Sequence, residues 1–394
     1  MIVAGGVYYE RCLTPAVEHL FGSGGRAAVA LSSFSKVELH TFFPKELEGD
    51  VLDNMGAFGV NSTIHASDSV VQFFYNFPLS MPRIAPVPVP KADPARVIGE
   101  KVVRFGCIEG EMIVDAEIAI YDPQSGNNPA PFHANGSKAQ RLALVLNASE
   151  LAKLSNSDNS VNMDDMVRRL SDEPEVVIVK AGPRGAHVYE KGVKLGTVPA
   201  YKSALVYKIG SGDIFTAMFA HGWATKELDP LTAADEASRY VAEYVEFQVP
   251  NMADSPPKKE ALELRGDAGT IYLAGSFFST EHIWLIEEAF TAIRALGVPC
   301  FSPLHHVGVG TGKNVAEADI KALQECDVVL ALLSDNDPGS LVEIGYAIRE
   351  DIPVLVLSEI PGPQDLTMIA GLGCPVFIDL ATAIYHAAWA ALEE

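Results

Sequence analysis

The chain has 394 residues, 48% of them apolar and 20% charged, which allows two or three folded domains with ample core and excludes a disordered chain. Its formal charge of −22 supplies no basic field, so a nucleic-acid polymer or an anionic membrane is not an expected partner, although glycines and a lysine can still capture a small anion locally. Five scattered cysteines with no C-x-x-C pair fit buried thiols in a reducing, cytoplasmic setting, and no apolar run reaches the roughly 18 residues of a membrane span.

The start reads as a first strand, Ile2 to Ala4, closed by Gly5-Gly6, and not as a signal peptide. The patch Gly22-Ser23-Gly24-Gly25-Arg26 then opens a helix over Ala27 to Leu31. Glycines ahead of a helix let backbone N–H groups approach an anion or a polar substrate. Pro78 to Pro94 reads as an extended connection. Strands follow at Val102 to Cys107, Ala116 to Tyr121, Leu142 to Leu146 and Val176 to Val179, with helical segments such as Met163 to Leu170 between them. This alternation predicts an α/β, doubly wound domain with a mostly parallel sheet and helices on both faces. Three motifs close its later elements: Asn147-Ala-Ser-Glu150, Lys180-Ala-Gly182-Pro-Arg-Gly185, and Gly210-Ser-Gly212-Asp213 leading into a helix. In the last, successive amides can converge on a transferring phosphoryl group while Asp213 takes a proton from the attacking hydroxyl. A plain capped helix is the alternative reading.

Together with Gly22-Ser-Gly-Gly25, these motifs come in the order of the PfkB (ribokinase-like) family of sugar and nucleoside kinases, which residues 1 to 248 resemble. The resemblance implies an anion hole at Gly210 and Gly212 with Asp213 as catalytic base. It places Asn147 and Glu150 at magnesium and phosphate, and Lys180, Gly182 and Gly185 near the nucleotide. ATP and Mg2+ are the implied cofactors, with a small sugar or nucleoside as substrate. The chain departs from the family pattern at Arg26, where Asn is usual, and at Tyr207-Lys208, where Asp-Thr is usual. Glu10, flanked by Tyr8 and Tyr9, is the candidate for the acid that contacts substrate hydroxyls.

A polar stretch marks a linker over 251–268, with room for a short helix, between domains at 1–250 and 269–394. Beyond it, strands at Ile271 to Ala274, Val298 to Ser302, Asp327 to Leu333, Val354 to Leu357 and Val376 to Ile378 alternate with helices at Glu281 to Leu296, Val315 to Glu325 and Ser340 to Arg349, a short one near Leu366, and a closing one. This predicts a compact, flavodoxin-like five-stranded parallel sheet. An acidic turn follows Leu333, and Ser340-x-x-Glu343 spells a capping box, with Asp337 just ahead of it. His305-His306 reads as a pair of loop histidines, since adjacent side chains diverge and no third ligand is spaced to help. Gly308-x-Gly310-x-Gly312 reads as a flexible flap first and a phosphate cradle second.

Ile271-Tyr-Leu-Ala-Gly275 with Phe277-Phe278, Asp319 eight positions before Asp327, and Asp337 with Glu343 in Asp-Pro-Gly-Ser-Leu-Val-Glu-Ile-Gly-Tyr-Ala carry a resemblance to the nucleoside 2-deoxyribosyltransferase family and its nucleotide N-hydrolase relatives. Cleaving an N-glycosidic bond passes through an oxocarbenium-like state, which a carboxylate beneath C1′ can stabilise or attack. The resemblance gives that role to Glu343, sugar binding and orientation to Asp337, and leaving-group protonation to Asp319. Tyr272 sits beside the nucleophile, Gly275, Phe277 and Phe278 line the base or sugar, and Met368 completes the pocket of a neighbouring subunit in a homo-oligomer. No cofactor is implied for this domain. The expected function is a nucleoside-metabolising fusion enzyme, and the alternative is a nucleotide-sensing regulator whose altered kinase domain binds ligand and gates the second.

Overall fold

The computed structural model describes residues 1–393 except 125–127, 159, 309, 311, 334–336 and 360–365. The acidic turn at 334–336, and positions 309 and 311 of the glycine flap, lie outside the described residues. The chain divides into two compact units: Met1–Asn76, Met81–Ser203 and Tyr207–Ala261 form the first, and Phe77–Ser80, Ala204–Val206 and Leu262–Glu394 form the second.

The first unit is built on a nine-stranded sheet. Its order runs from Val193–Val198 through Ala186–Glu190, Val176–Lys180, Lys138–Asn147, Met112–Asp122, Ala95–Phe105 and Ile2–Ala4 to Glu38–Phe43 and Asn61–Ala66. Seven of these strands pair in parallel, and the two at the Val193 edge are joined on by antiparallel pairings. Central strands such as Val176–Lys180 are apolar without alternation because both of their faces are covered. On one face the helices Gly22–Ser32, Ser211–Ala220 and Pro230–Phe247 enclose a core that includes Val29, Leu31, Phe219 and Tyr240.

Two details differ from the sequence reading. The glycine patch does not precede the helix; the helix begins at Gly22, and Gly24 lies against the end of the first strand. A Cβ on Gly24 would come within 2.5 Å of the Gly5 carbonyl, so only glycine permits this approach. A separate four-stranded sheet also forms from Val17–Leu20, Tyr9–Cys12, Gln72–Tyr75 and Arg83–Ala85, and it carries Glu10.

The second unit is a five-stranded, all-parallel sheet in the order Cys300–Phe301, Ile271–Gly275, Val328–Leu332, Val354–Leu357, Val376–Phe377. In chain order this is 2-1-3-4-5, whose strand order reverses beside Ile271–Gly275, and ligands of such sheets bind at the carboxyl ends of the strands near that reversal. The helices Thr280–Ala295, Lys313–Gln324, Pro338–Arg349 and Leu380–Leu392 follow the predicted periodicity. Phe77 and Val206 are buried in the same apolar cluster as Ile271, Leu330 and Leu392, and the Val206 amide donates to Thr382 Oγ1 at 2.9 Å. Residues 251–267 hold no helix. Among the described residues no helix is long and apolar enough to cross a membrane, and all five cysteines are free thiols.

Candidate active sites

In the second unit, Tyr272 lies in the middle of the first strand, fully buried, with its ring stacked on Phe301 at 5.5 Å. Its hydroxyl donates to Glu343 Oε1 at 2.7 Å. Glu343 reaches it from the second turn of the helix Pro338–Arg349. The capping box expected at Ser340-x-x-Glu343 does not form. Pro338 can occupy only the first turn of a helix, so the helix starts there and Asp337 becomes the cap, with Oδ2 accepting from the Ser340 amide at 2.8 Å and its hydroxyl at 3.0 Å. Glu343 is thereby released from capping and points at Tyr272.

Burial pushes the Glu343 carboxyl up to about 7. The Tyr272 hydrogen bond opposes that rise, and the negative charges of Asp319 and Asp337 add to it. Asp319, on the helix Lys313–Gln324, is raised by burial, and its Oδ1 is buried without a hydrogen-bond partner among the described residues. The Tyr272 phenol is pushed far up by burial and by Glu343, so it stays protonated and can only donate to the carboxylate. Four of the named residues thus share one electrostatic site: a carboxyl raised by burial, a fixed donor, and two acids that raise its basicity.

The other residues of this unit fall around or away from that group. Gly275 ends its strand against Leu332, Phe277 is half-buried against the core, and Phe278 is 75% exposed, its ring 5.1 Å from that of Phe277. Met368, on the short helix Thr367–Gly371, is 72% exposed. Asp327 is tied by the Thr270 amide at 2.7 Å and by Arg265 at 2.9 Å. These bonds outweigh its burial and hold its carboxyl below the usual range, so it secures the strand end. His305 and His306 form a one-turn helix and stack on different rings, Phe290 at 3.8 Å and Phe301 at 4.8 Å. Among the described residues no three His, Cys, Asp or Glu side chains converge as metal ligands.

In the first unit, Gly210 takes the left-handed conformation (φ 82°) that starts the helix Ser211–Ala220, and Asp213 lies buried on its first turn. Both oxygens of Asp213 are engaged: Oδ2 by Arg26 Nη1 at 2.7 Å, and Oδ1 by Gln124 Nε2 at 2.5 Å. Arg26, 1% exposed, also pairs through Nη2 with Glu10, whose carboxyl burial raises and Arg26 draws back down. The guanidinium lies directly against Gly210, where a Cβ would meet its Nε at 2.2 Å. A buried cation thus faces the motif acid.

Lys180 pairs with Asp122 Oδ2 at 2.6 Å, and Thr216 donates to the same oxygen at 2.9 Å. Asp122 is fully buried, its Oδ1 has no partner among the described residues, and burial raises its carboxyl while Lys180 lowers it. Gly212 stands 3.5 Å, by its would-be Cβ, from Lys180 Nζ. Lys208 is drawn down to about 8 by burial and by the charge of Lys180, and it donates to Ser211 Oγ. Asn147 and Glu150 form a complete capping box on the helix Ala148–Leu154, each side chain bonding the other's amide at 2.9 Å. Gly182 and Gly185 form the turn after Lys180, both at positive φ; a Cβ on Gly185 would come 1.9 Å from the Val198 carbonyl oxygen. The sequence reading missed Asp122 and Gln124. The signal available was an acid and a proline, Asp122-Pro123, at the carboxyl end of a strand.

The family comparisons fall on these same two units. Residues 133–245 match the model of the pfkB family carbohydrate kinases, and residues 271–371 match that of nucleoside 2-deoxyribosyltransferase. No curated protein matches. Among solved structures, a pyrophosphate-dependent kinase of the ribokinase family complexed with a pyrophosphate analog and myo-inositol is 16% identical, covering 62% of this chain and 95% of its own, with a TM-score of 0.46. The Burkholderia thailandensis nucleoside kinase in complex with inosine is 14% identical over 65% and 93%, TM-score 0.47, and the Vibrio cholerae O395 fructokinase 12% over 64% and 95%, TM-score 0.44. The chain thus joins an α/β unit carrying a pfkB match to a parallel α/β unit carrying a nucleoside 2-deoxyribosyltransferase match.

Proposed function

We propose that the second unit breaks or transfers the N-glycosidic bond of a (deoxy)nucleoside. The observation that carries this reading is the Tyr272–Glu343 contact of 2.7 Å, set between Asp319 and Asp337. Ionised Glu343 attacks C1′ while the bond to the base breaks, with Asp319 supplying the proton that the departing base takes up. The resulting glycosyl ester is then opened by water, giving hydrolysis, or by a second base, giving transfer. Asp337 holds the sugar, Gly275, Phe277 and Phe278 bound the base, and the exposed Met368 fits a role in the pocket of a second copy of the chain. The Tyr272 hydroxyl keeps one Glu343 oxygen fixed, leaving the other to react. The test is chromatographic release of free base from pooled deoxynucleosides: Glu343→Ala abolishes it, and unchanged release in that variant overturns the reading.

The first unit invites an ATP-dependent transfer to a sugar or nucleoside hydroxyl. Lys180, Gly182 and Gly185 would border the nucleotide and Gly210 and Gly212 the transferring group, with Asp213 as base. The partnerless Asp122 Oδ1 and the raised Glu150 carboxyl suit a magnesium ion held near Asn147. When bound, ATP and magnesium supply the phosphoryl group and the charge to neutralise it. A specific observation favours a second reading of this unit, ligand binding without transfer: Arg26 and Gln124 occupy both oxygens of Asp213.

A further inference from the structure

We propose that the first unit binds an oxyanion, the carboxylate or phosphate group of a small molecule, at Arg104, in a cavity of about 440 Å3. Arg104 is the penultimate residue of the strand Ala95–Phe105 and is 7% exposed. A buried guanidinium is costly unless an anion compensates it. Arg104 has no such partner among the described residues. Its three hydrogen bonds all leave from Nη1 and all go to neutral oxygens: the Phe132 carbonyl at 3.1 Å, Ser137 Oγ at 3.1 Å and Asn135 Oδ1 at 3.5 Å. Its buried Nε has no hydrogen-bond partner among the described residues. Among the described residues the Nε–Nη2 edge has no partner, and this is the pair of parallel donors that grips two oxygens of a carboxylate or phosphate side-on.

The surroundings prepare that edge. The guanidinium lies 4.7 Å from the ring centre of Tyr121 and 5.5 Å from that of Phe132, so its plane is set before any ligand arrives and little ordering is left to do on binding. Lys91 and Gln124 line the same cavity, and the one acid among its described lining residues, Glu111, is exposed. In a chain of net charge −22 this is a local excess of positive charge. The volume lies within the range of small-ligand pockets. Gln124 also donates to Asp213 Oδ1, so an anion held here sits one side chain from the motif acid. The cavity uses none of the glycine motifs and none of the residues of the second unit.

The test uses the full chain without nucleotide or magnesium, so that its outcome is separate from that of the glycosidic reading. Thermal shift and calorimetry are run with inorganic phosphate, glycerol 2-phosphate and citrate, each against sodium chloride at equal ionic strength. A saturable stabilisation by the phosphates or by citrate, one class exceeding the other, is expected. Arg104→Lys keeps the charge and loses the two-pronged edge, and it weakens binding at least roughly tenfold. Lys91→Gln, at an exposed position, weakens it by about threefold and serves where the Arg104 variant does not fold. No saturable shift with any anion overturns the proposal. Wild-type affinity in the folded variants overturns it too, since the anion would then be held at Gly210–Asp213.

Discussion

Replacing Tyr272 with Phe separates the proposed chemistry of Glu343 from its mere position. The ring is fully buried and stacked on Phe301, so Phe fills the same space and leaves no cavity; only the hydroxyl that donates 2.7 Å to Glu343 Oε1 is lost. Hydrogen bonds to a charged group contribute about 1.5–3 kcal/mol, and here the bond favours the ionised carboxylate, holding Glu343 down at about 7 against burial and two neighbouring acids. Its loss therefore raises the Glu343 pKa by about 1–2 units. At pH 7 the ionised fraction falls from about one half to between about 1% and 10%, and base release from a deoxynucleoside falls about 5- to 50-fold. Raising the pH to about 9.5 restores most of that loss, because it repopulates the carboxylate. The measurement is kcat/KM for base release from pH 5 to 10 in both proteins. A variant whose profile keeps the wild-type midpoint and is lowered equally at every pH would refute the reasoning, because the hydroxyl would then act on geometry and not on ionisation.

Two stability predictions follow from the same buried charges. Glu343 titrates higher in the folded chain, at about 7, than its ordinary 4.5, so the folded state binds the proton more tightly and loses stability as pH rises between those values. The full shift corresponds to at most about 3 kcal/mol. Glu343→Gln, which cannot ionise, should therefore melt higher than wild type at pH 8 and show little of that gain at pH 4.5; an equal difference at both pH values contradicts the assignment. In the first unit, Asp213→Asn removes one of two carboxylates from the buried Arg26. Because Glu10 remains, the cost should be about 2 kcal/mol, below that of stranding a buried charge entirely. Chemical denaturation measures it, and a change under about 0.5 kcal/mol would mean that Arg26 does not depend on Asp213.

The elements legible in the sequence are those whose burial is uniform along the chain. Val176–Lys180 and Val354–Leu357 are covered on both faces and read as unbroken apolar runs, and the helices of the second unit show a single apolar stripe. The four-stranded sheet was not legible, because its strands are short and only partly buried: Tyr9–Cys12 carries a buried Glu10 where a strand pattern leads one to expect an apolar residue. Nor was the membership of Phe77–Ser80 and Ala204–Val206 in the second unit, which depends on where two side chains are buried rather than on any local preference. The capping box at Ser340 was a true local signal that a stronger one displaced, Pro338 fixing the first turn and Asp337 taking the cap.

The same distinction separates what the motifs reveal from what they leave out. Gly210-Ser-Gly-Asp213 is a local device, and its turn and helix form as the spacing requires. What decides whether its acid can act as a base is the residue opposite, and Arg26 lies 187 positions away in the chain. Its two oxygens are held by that guanidinium at 2.7 Å and by Gln124 at 2.5 Å, so both partners stand between the acid and any substrate hydroxyl. In the second unit the long-range partner works the other way. Tyr272, 71 positions from Glu343, supplies a neutral donor, and the nearby charges are acids that raise the basicity of the carboxylate. Two acids that both sit near a helix start in the sequence thus acquire opposite surroundings, one held by a cation and one set beside a neutral donor and further acids, from partners that the tertiary fold brings to them.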